Sequence, residues 1–600
     1  MSESTLDTDG APARAERWLT EFQRALDGRD VQAASALFGE QSYWRDLVAF
    51  TWNITTVEGP SGVADLLEAT CEHAAPSNFR TTEEPTETDG VTEVWLAFET
   101  AVGRGSGLLR LVDGKAFTLL TTLDELKGHE EPLSERRPKG VEHKADPDRL
   151  TWGQAREAEL AELGHSRQPD VVIVGGGQGG IALGARLRQL GVSTIIVERN
   201  ERAGDSWRNR YSSLALHDPV WYDHLPYLQF PPNWPVFSPK DKIGDWLEMY
   251  TRVMELDYWS ASTCLGARYD GTRWDVTVDR AGEQITLHPK HLVLALGVSG
   301  RPNVPDYPGA DRFAGEQQHS SEHPGPDRYR DKRVVVIGSN NSAHDICAAL
   351  WEVGADVTMV QRSSTHIVRS ESLMEHGLAP LYSEQAVAAG VSTHKADTIF
   401  ASLPYRIMHT FQKPIYDTIR EQDAEYYARL AKAGFELDFG EDESGLFMKY
   451  LRRGSGYYID VGASELVADG RVKLANGQVA ELTEHEVVLE DGTALPADLV
   501  VYATGYGSMN RRAAGILGEE VAERLGKVWG LGSDTIKDPG PWEGEERNMW
   551  KPTQQEALWV HGGNLHQSRY YSLYLALQLK ARLEGIPTPV YNLAPVHHTS

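Results

Sequence analysis

Cysteine is scarce. The three present, Cys71, Cys264 and Cys347, stand far apart, are odd in number and form no Cys-x-x-Cys pair. That spacing argues against a disulfide framework, a zinc site or a redox dithiol, and suits a reducing, cytosolic setting. No metal site is expected. Positive charge is short as well: 59 Lys and Arg face 87 Asp and Glu, for a net charge of −28. Such a surface repels nucleic acid phosphates and anionic lipid, so neither is an expected partner. No apolar run approaches the roughly 18 residues of a membrane span. Residues Met1 to Asp9 are acidic where a signal peptide would be basic. The expectation is a soluble, cytoplasmic protein.

What is present divides into several units, since 600 residues at about 100–200 per domain predict three or four. Residues 1–13 are small and polar and read as a disordered tail. Over 14–131, Trp18, Leu19, Phe22, Ala25 and Leu26 recur at helical spacing, and Val31 to Phe38 gives a second helical pattern. From Glu93 the period falls to two, and the turn Asp113-Gly114 separates two further strands. Helices before a curled sheet make an α+β unit. Residues 132–165, rich in Pro, Glu, Arg and Lys, read as a linker.

The apolar run Val171 to Val174 leads into Gly175-x-Gly177-x-x-Gly180 and then a helical pattern, and Thr194 to Val197 ends in Glu198, 23 residues beyond Gly175. Each part has a mechanical reason. The glycines let the backbone turn tightly against a pyrophosphate, the helix N-terminus supplies N–H groups, and the acid accepts ribose hydroxyls. A second strand, Arg333 to Ile337, enters the turn Gly338-Ser339-Asn340-Asn341-Ser342-Ala343, which keeps one glycine of three. Asn tolerates left-handed backbone, so a phosphate-facing turn stays feasible. The strand after it ends in Gln361-Arg362 instead of an acid, which removes repulsion of a 2′-phosphate and offers Arg362 to pair with it. The pattern favours NADPH. Two dinucleotides in one chain imply electron transfer between them.

Several stretches resemble flavin-dependent monooxygenases of the two-dinucleotide class, over roughly 165–585. They are the run Ala203-Gly204-Asp205-Ser206-Trp207 with Arg210-Tyr211, the segment Phe313-x-Gly315-x-x-x-His319 with His323-Pro324, and Ala503-Thr504-Gly505-Tyr506. The resemblance implies an α/β fold: a Rossmann-type FAD domain (166–312 and 491–600) with an NADPH domain and its helical insertion (313–490) set within it. The strand ending at Ala503-Thr504-Gly505 is expected to complete the FAD fold. The N-terminal unit resembles the cone-shaped SnoaL-like families; there Trp44 and Asp46 either line a second ligand pocket or belong to a packing or dimerisation module in which Asp46 pairs with Arg45 or caps a helix. The module reading is preferred, and it makes this unit the candidate surface for a homodimer.

By the same resemblance, FAD is held by Gly175, Gly177, Gln178, Gly180, Glu198, Arg199, Ser206, Trp207, His217, Asp218, Cys264, Gly505 and Asn564. The nicotinamide cofactor, NADPH with NADH accepted, falls to Gly338, Ser339, Asn340, Asn341, Ser342 and Arg362. His323 in the usual aromatic slot, with the long N-terminal extension, looks like the type II flavin-containing monooxygenases. The implied chemistry is reduction of FAD by NADPH and attack by a flavin peroxide on a ketone, giving an ester or lactone, or on a soft sulfur or nitrogen atom. Candidate catalytic groups are His319 and His323 on the inter-domain segment and Arg452 and Arg453 as cations for the anionic intermediate, although the reading of the two arginines as a solvated basic pair is preferred. Asp460-Val461-Gly462 resembles plant indole-3-pyruvate monooxygenases, so oxidative decarboxylation of an aryl-pyruvate is the enzyme alternative. A non-catalytic flavin redox sensor is the alternative of another class. Dithiol reductases of this architecture need a cysteine pair that the chain lacks.

Overall fold

The computed structural model describes residues 10–596 except 142, 144, 298–300, 536 and 537. The proposed tail over 1–9 lies outside the described residues. Residues 11–13, read with that tail, instead open a helix, Ala11–Asp27, because Pro12 fits its first turn and Ala11, Ala15 and Trp18 are buried.

In the N-terminal unit the second helical pattern stops at Ser35, and Phe38 already begins strand β1 (Phe38–Leu47). The sheet has seven strands. Its last, β2 (Lys115–Leu126), runs parallel to β1 and antiparallel to Gly103–Val112. Asp113 and Gly114 both hold positive φ, as a tight hairpin requires. Helix Gly59–Ala74 packs against β1, and a buried aromatic cluster of Phe22, Phe38, Trp44, Phe50 and Phe98 fills the interior.

The segment read as a plain linker holds a helix, Trp152–Glu162, started by reciprocal capping between Thr151 and Gln154. It buries no residue and is fastened by ion pairs of its Arg156 to Asp257 and its Glu159 to Arg188, and by Trp152 Nε1 donating to Glu255 at 2.7 Å. Periodicity could not mark it, because it has no apolar stripe.

Strand β3 (Val171–Val174) is wholly buried and leads into helix α1 (Gln178–Gln189), followed by β4 (Thr194–Val197), β5 (Tyr258–Trp259) and β6 (His291–Leu294). A second parallel sheet starts with β7 (Glu316–His319) and β8 (Arg333–Ile337), continues through helix α2 (Asn341–Glu352) to β9 (Asp356–Gln361), and resumes after a largely helical insertion. That insertion includes α3 (Thr393–Ala401) and α4 (Leu446–Arg453); β10 (Lys473–Asn476) and β11 (Leu499–Tyr502) then return to the second sheet. Finally come β12 (Leu558–Val560) and the long helix α5 (Leu565–Leu583).

The first sheet has the order β5-β4-β3-β6-β12 and the second β7-β11-β8-β9-β10, every pairing parallel. This corrects one expectation. The strand before Ala503-Thr504-Gly505 belongs between β7 and β8 of the second sheet, and β12 alone completes the first. A short, fully apolar parallel strand fits either sheet equally well, so its composition could not decide. Among the described residues no helix is long and apolar enough to cross a membrane.

Candidate functional site

The turn after β3 fits a pyrophosphate. A Cβ on Gly180 would stand 2.0 Å from the Gly175 carbonyl oxygen, and one on Gly175 would stand 2.3 Å from that of Ala295. Only hydrogen fits there, so strand, turn and helix pack close enough for backbone N–H groups at the start of α1 to face a phosphate. Glu198 ends β4 almost buried, its carboxylate accepting from Gly176 N at 2.7 Å and Asn200 N at 2.9 Å. Arg199 beside it is exposed. The Ser206 hydroxyl is buried without a hydrogen-bond partner and lies across from Gly177. A glycine cradle, a ribose-height carboxylate and an unsatisfied hydroxyl are what FAD would engage.

Gln178 ties three distant segments together: its amide donates to the Gly563 carbonyl at 3.2 Å and its Oε1 accepts from Trp207 Nε1 at 3.3 Å. Asn564 caps α5, accepting from Gln567 N at 2.9 Å. Its amide also donates to the Tyr222 hydroxyl at 3.1 Å, and its own N–H reaches the Tyr450 hydroxyl at 3.2 Å. The N-terminus of this 19-residue helix therefore opens onto the same place as α1, with its positive dipole end foremost. Asp218 stands near Tyr222 and Tyr457, and burial raises its carboxyl against the pull of His217. His217 itself turns towards Asp345 of α2, 3.5 Å away. Cys264 lies on the strand Ser262–Tyr269, its thiol pushed up to about 11 by burial.

At the second turn, Gly338 holds φ +131°, and a Cβ there would stand 2.3 Å from the Ala503 carbonyl oxygen. Ser339 bonds the Thr365 hydroxyl at 2.7 Å, Asn340 sits at the N-cap of α2 without a side-chain cap bond, and Asn341 accepts from Ile459 N at 3.1 Å. Ser342 is half-buried in the first turn of α2. Gln361 is buried against the backbone of Glu436, whereas Arg362 is exposed just past β9 and close enough to Tyr307 to lower its hydroxyl against the larger upward effect of burial. The second turn thus offers free N–H groups and one outward cation to an anionic ligand.

His319, at the end of β7, accepts from Ser321 N at 3.1 Å through Nδ1 and donates from Nε2 to the Gly505 carbonyl at 3.0 Å. Both ring nitrogens are occupied, and Gly505 is thereby fixed at the crossover beyond β11. His323 accepts from Gln318 at 3.0 Å and is held at about 4 chiefly by burial, so its ring is neutral; its Nε2 has no partner. Of the two arginines, Arg452 bonds Asp442 at 2.6 Å and Arg453 lies over Gly456. The side chain of α4 that reaches Asn564 is Tyr450, whose hydroxyl donates to Gln567 at 2.6 Å.

Sequence reading missed a buried polar cluster at this end of α5. Arg569 makes a two-pronged pair with Asp397 of α3 at 2.9 and 2.8 Å and donates to the carbonyls of Tyr222 and His224. His566 stands 3.2 Å from the same carboxylate and stacks on Tyr222, and Tyr382 donates to it at 2.9 Å. Burial works to raise the Asp397 carboxyl, but Arg569 and His566 outweigh it and hold it well below the usual range. Arg569 was visible in the sequence run; Asp397, on the insertion, carries no motif.

A family model described as pyridine nucleotide-disulphide oxidoreductase matches residues 172–441. The rice (Oryza sativa subsp. japonica) indole-3-pyruvate monooxygenase YUCCA1 is 30% identical over 344 residues, 57% of this chain and 77% of that protein, and YUCCA4 of the same plant is 29% identical over 354 residues, 57% and 74%. A flavin-containing monooxygenase from Stenotrophomonas maltophilia superposes with a TM-score of 0.46 at 18% identity, covering 69% of this chain and 99% of that one. With the two dinucleotide turns and the relationship to the rice enzyme together, the chain belongs to the flavin-containing monooxygenases and works with FAD and NAD(P)H.

Proposed function

We propose that the protein spends NADPH, and accepts NADH, to insert one oxygen atom of O2 into an uncharged substrate, either a ketone, giving an ester or lactone, or a soft sulfur or nitrogen atom. One observation carries this reading: three buried or half-buried cations, Arg569 of α5 and Lys449 and Arg452 of α4, are already neutralised by carboxylates. Arg569 belongs to Asp397, Lys449 to Asp438 and Arg452 to Asp442. A carboxylate-bearing substrate would meet these spent cations together with Asp218 and Asp223, two buried acids whose carboxyls burial raises. Charge without a partner is costly to bury.

Bound at the first turn, FAD supplies hydride acceptance from the nicotinamide and activation of dioxygen. The residues do the rest of the work. In this reading Glu198 holds the ribose, Ser206 and Trp207 border the ring system with His217 and Asp218, and Asn564 presents the positive end of α5 to developing negative charge. Tyr222, Tyr450 and His566 wall the site against water. His319 keeps the crossover at Gly505 in register, and His323 packs beside it. Arg362 takes the 2′-phosphate.

The second reading, oxidative decarboxylation of an aryl-pyruvate, is supported by the likeness to the two rice indole-3-pyruvate monooxygenases and by Asp460-Val461-Gly462. Family membership leaves the non-catalytic sensor without support. The SnoaL-like assignment of the N-terminal unit, a homodimer through it and a cytoplasmic location belong to the same proposal, the dimer to be read by sedimentation. The deciding experiment is anaerobic reduction of the purified yellow protein with NADPH, then oxygen with ketones, sulfides and indole-3-pyruvate, products identified by mass spectrometry. Lactone or sulfoxide is expected; indole-3-acetate as the sole product would replace the first reading with the second.

A further inference from the structure

On β1, Arg45 points away from the aromatic interior that Trp44 and Asp46 enter, as alternate residues of a strand must. Its guanidinium is 1% exposed and meets several segments outside the N-terminal unit. Nε and Nη2 donate to the two carboxylate oxygens of Glu545 at 2.8 and 2.6 Å, Nη1 to the Ala401 carbonyl at 2.7 Å, and Nη2 also to the Tyr571 hydroxyl at 3.2 Å. The group lies 4.5 Å over the Tyr405 ring. The expected pairing of Arg45 with Asp46 is therefore replaced: Asp46 accepts instead from Phe50 N, Thr51 and Thr121.

Two routes run from this one side chain to the flavin site. Tyr571 stacks on Trp550 at 4.0 Å, and the Trp550 indole donates to the Gly562 carbonyl at 3.0 Å, just before the Gly563-Asn564 start of α5. In the other direction Ala401 ends α3, where a cation also complements the helix dipole, and α3 carries the Asp397 that orients Arg569. An apolar face could glue two units together without desolvating a guanidinium, and a buried pair is weak evidence for stability alone. What the pair adds is directional geometry.

We propose that Arg45 is a positioning residue for the monooxygenase reaction, and that the N-terminal unit braces the flavin-facing loop at Gly562 and the helix α3 from within the same chain. The proposal rests on the flavin site described above, not on the identity of the substrate.

The test replaces the pair together, Arg45→Met with Glu545→Met, so that no lone charge is left buried, and reads the flavin rather than turnover. The double variant should fold and bind FAD, but with an altered visible circular dichroism spectrum of the flavin, about tenfold weaker FAD affinity, and a several-fold faster oxidation of NADPH to hydrogen peroxide without added substrate, as loss of sub-ångström placement implies. Arg45→Lys, which keeps the charge, should restore part of each signal. A folded double variant with wild-type flavin spectrum, affinity and peroxide rate would overturn the proposal. Should the double variant not fold, Tyr571→Phe decides: it leaves the ion pair intact and removes only the hydroxyl that Arg45 touches, so a shifted flavin spectrum supports the brace and an unchanged one sinks it. Failure to bind any flavin in the wild-type protein would instead refute the site itself.

Discussion

Asp46 has no exposed surface, and burial pushes its carboxyl up to about 6 even though four hydrogen bonds favour the charged form. In the unfolded chain the same group ionises near its ordinary value of about 3.9. Between those values the folded protein keeps a proton that the unfolded chain has released, so the contribution of Asp46 to stability falls as pH rises from about 4 to 6 and stays low above that. The gap of roughly two units corresponds to something on the order of 3 kcal/mol. Asp46→Asn should therefore gain on the wild type at neutral pH and lose that advantage by pH 4, read as melting temperature against pH. A constant difference across that range would contradict the assignment. Arg362 permits a sharper test. A charge-assisted contact is worth about 1.5–3 kcal/mol, so Arg362→Ala should raise KM for NADPH roughly tenfold or more and leave KM for NADH nearly unchanged. Equal losses with both would remove Arg362 from the phosphate site. These two residues also differ in how far the sequence exposed them: Arg362 stands where a strand ends, a place fixed by local pattern, whereas the surroundings of Asp46 depend on Thr121, 75 residues away.

At the level of elements, α5 is where remote segments converge. Most of its residues are buried, so it shows no polar face by which periodicity could orient it. Its start was legible, because Gly562-Gly563-Asn564 gives a turn and a cap before the helix. Its partners were not. Asp397 lies 172 residues upstream of Arg569 on a helix with no motif. The misplaced strand β11 teaches a related lesson: four apolar residues specify a buried parallel strand and say nothing about which sheet receives it. The energetic importance of the convergence can be measured. Arg569→Met leaves Asp397 buried without its main cation and should cost about 3–5 kcal/mol in denaturant unfolding, whereas Arg569→Met with Asp397→Leu should recover most of the loss. If the single variant unfolds like wild type, the pair does not hold α3 to α5.

At the scale of the whole molecule, both dinucleotide turns were legible because each is a local pattern of strand, turn and helix. The attachment of the N-terminal unit was not, since Arg45 and Glu545 are 500 residues apart and neither sits in a motif. The join between the two dinucleotide units is equally hidden. Tyr211, from the first unit, donates to Asp345 of α2 at 2.7 Å, and His217 Nε2 stands 3.5 Å from the other carboxylate oxygen. Burial alone would lower His217, but Asp345, with Asp218 and Asp460 behind it, outweighs burial and raises its pKa. A histidine raised in the folded state contributes fully below its ordinary value of about 6.5 and loses that contribution as pH climbs through the folded value. The contact between the units should consequently be tightest in mild acid and weaken towards pH 8. Asp345→Asn keeps an acceptor for Tyr211 and removes the charge that His217 follows. In the wild type, the radius of gyration from small-angle scattering and the affinity for NADP⁺ should both change between pH 6 and pH 8, and in Asp345→Asn both should be flat over that interval. The same pH response in the variant would place the switch elsewhere than His217 and Asp345.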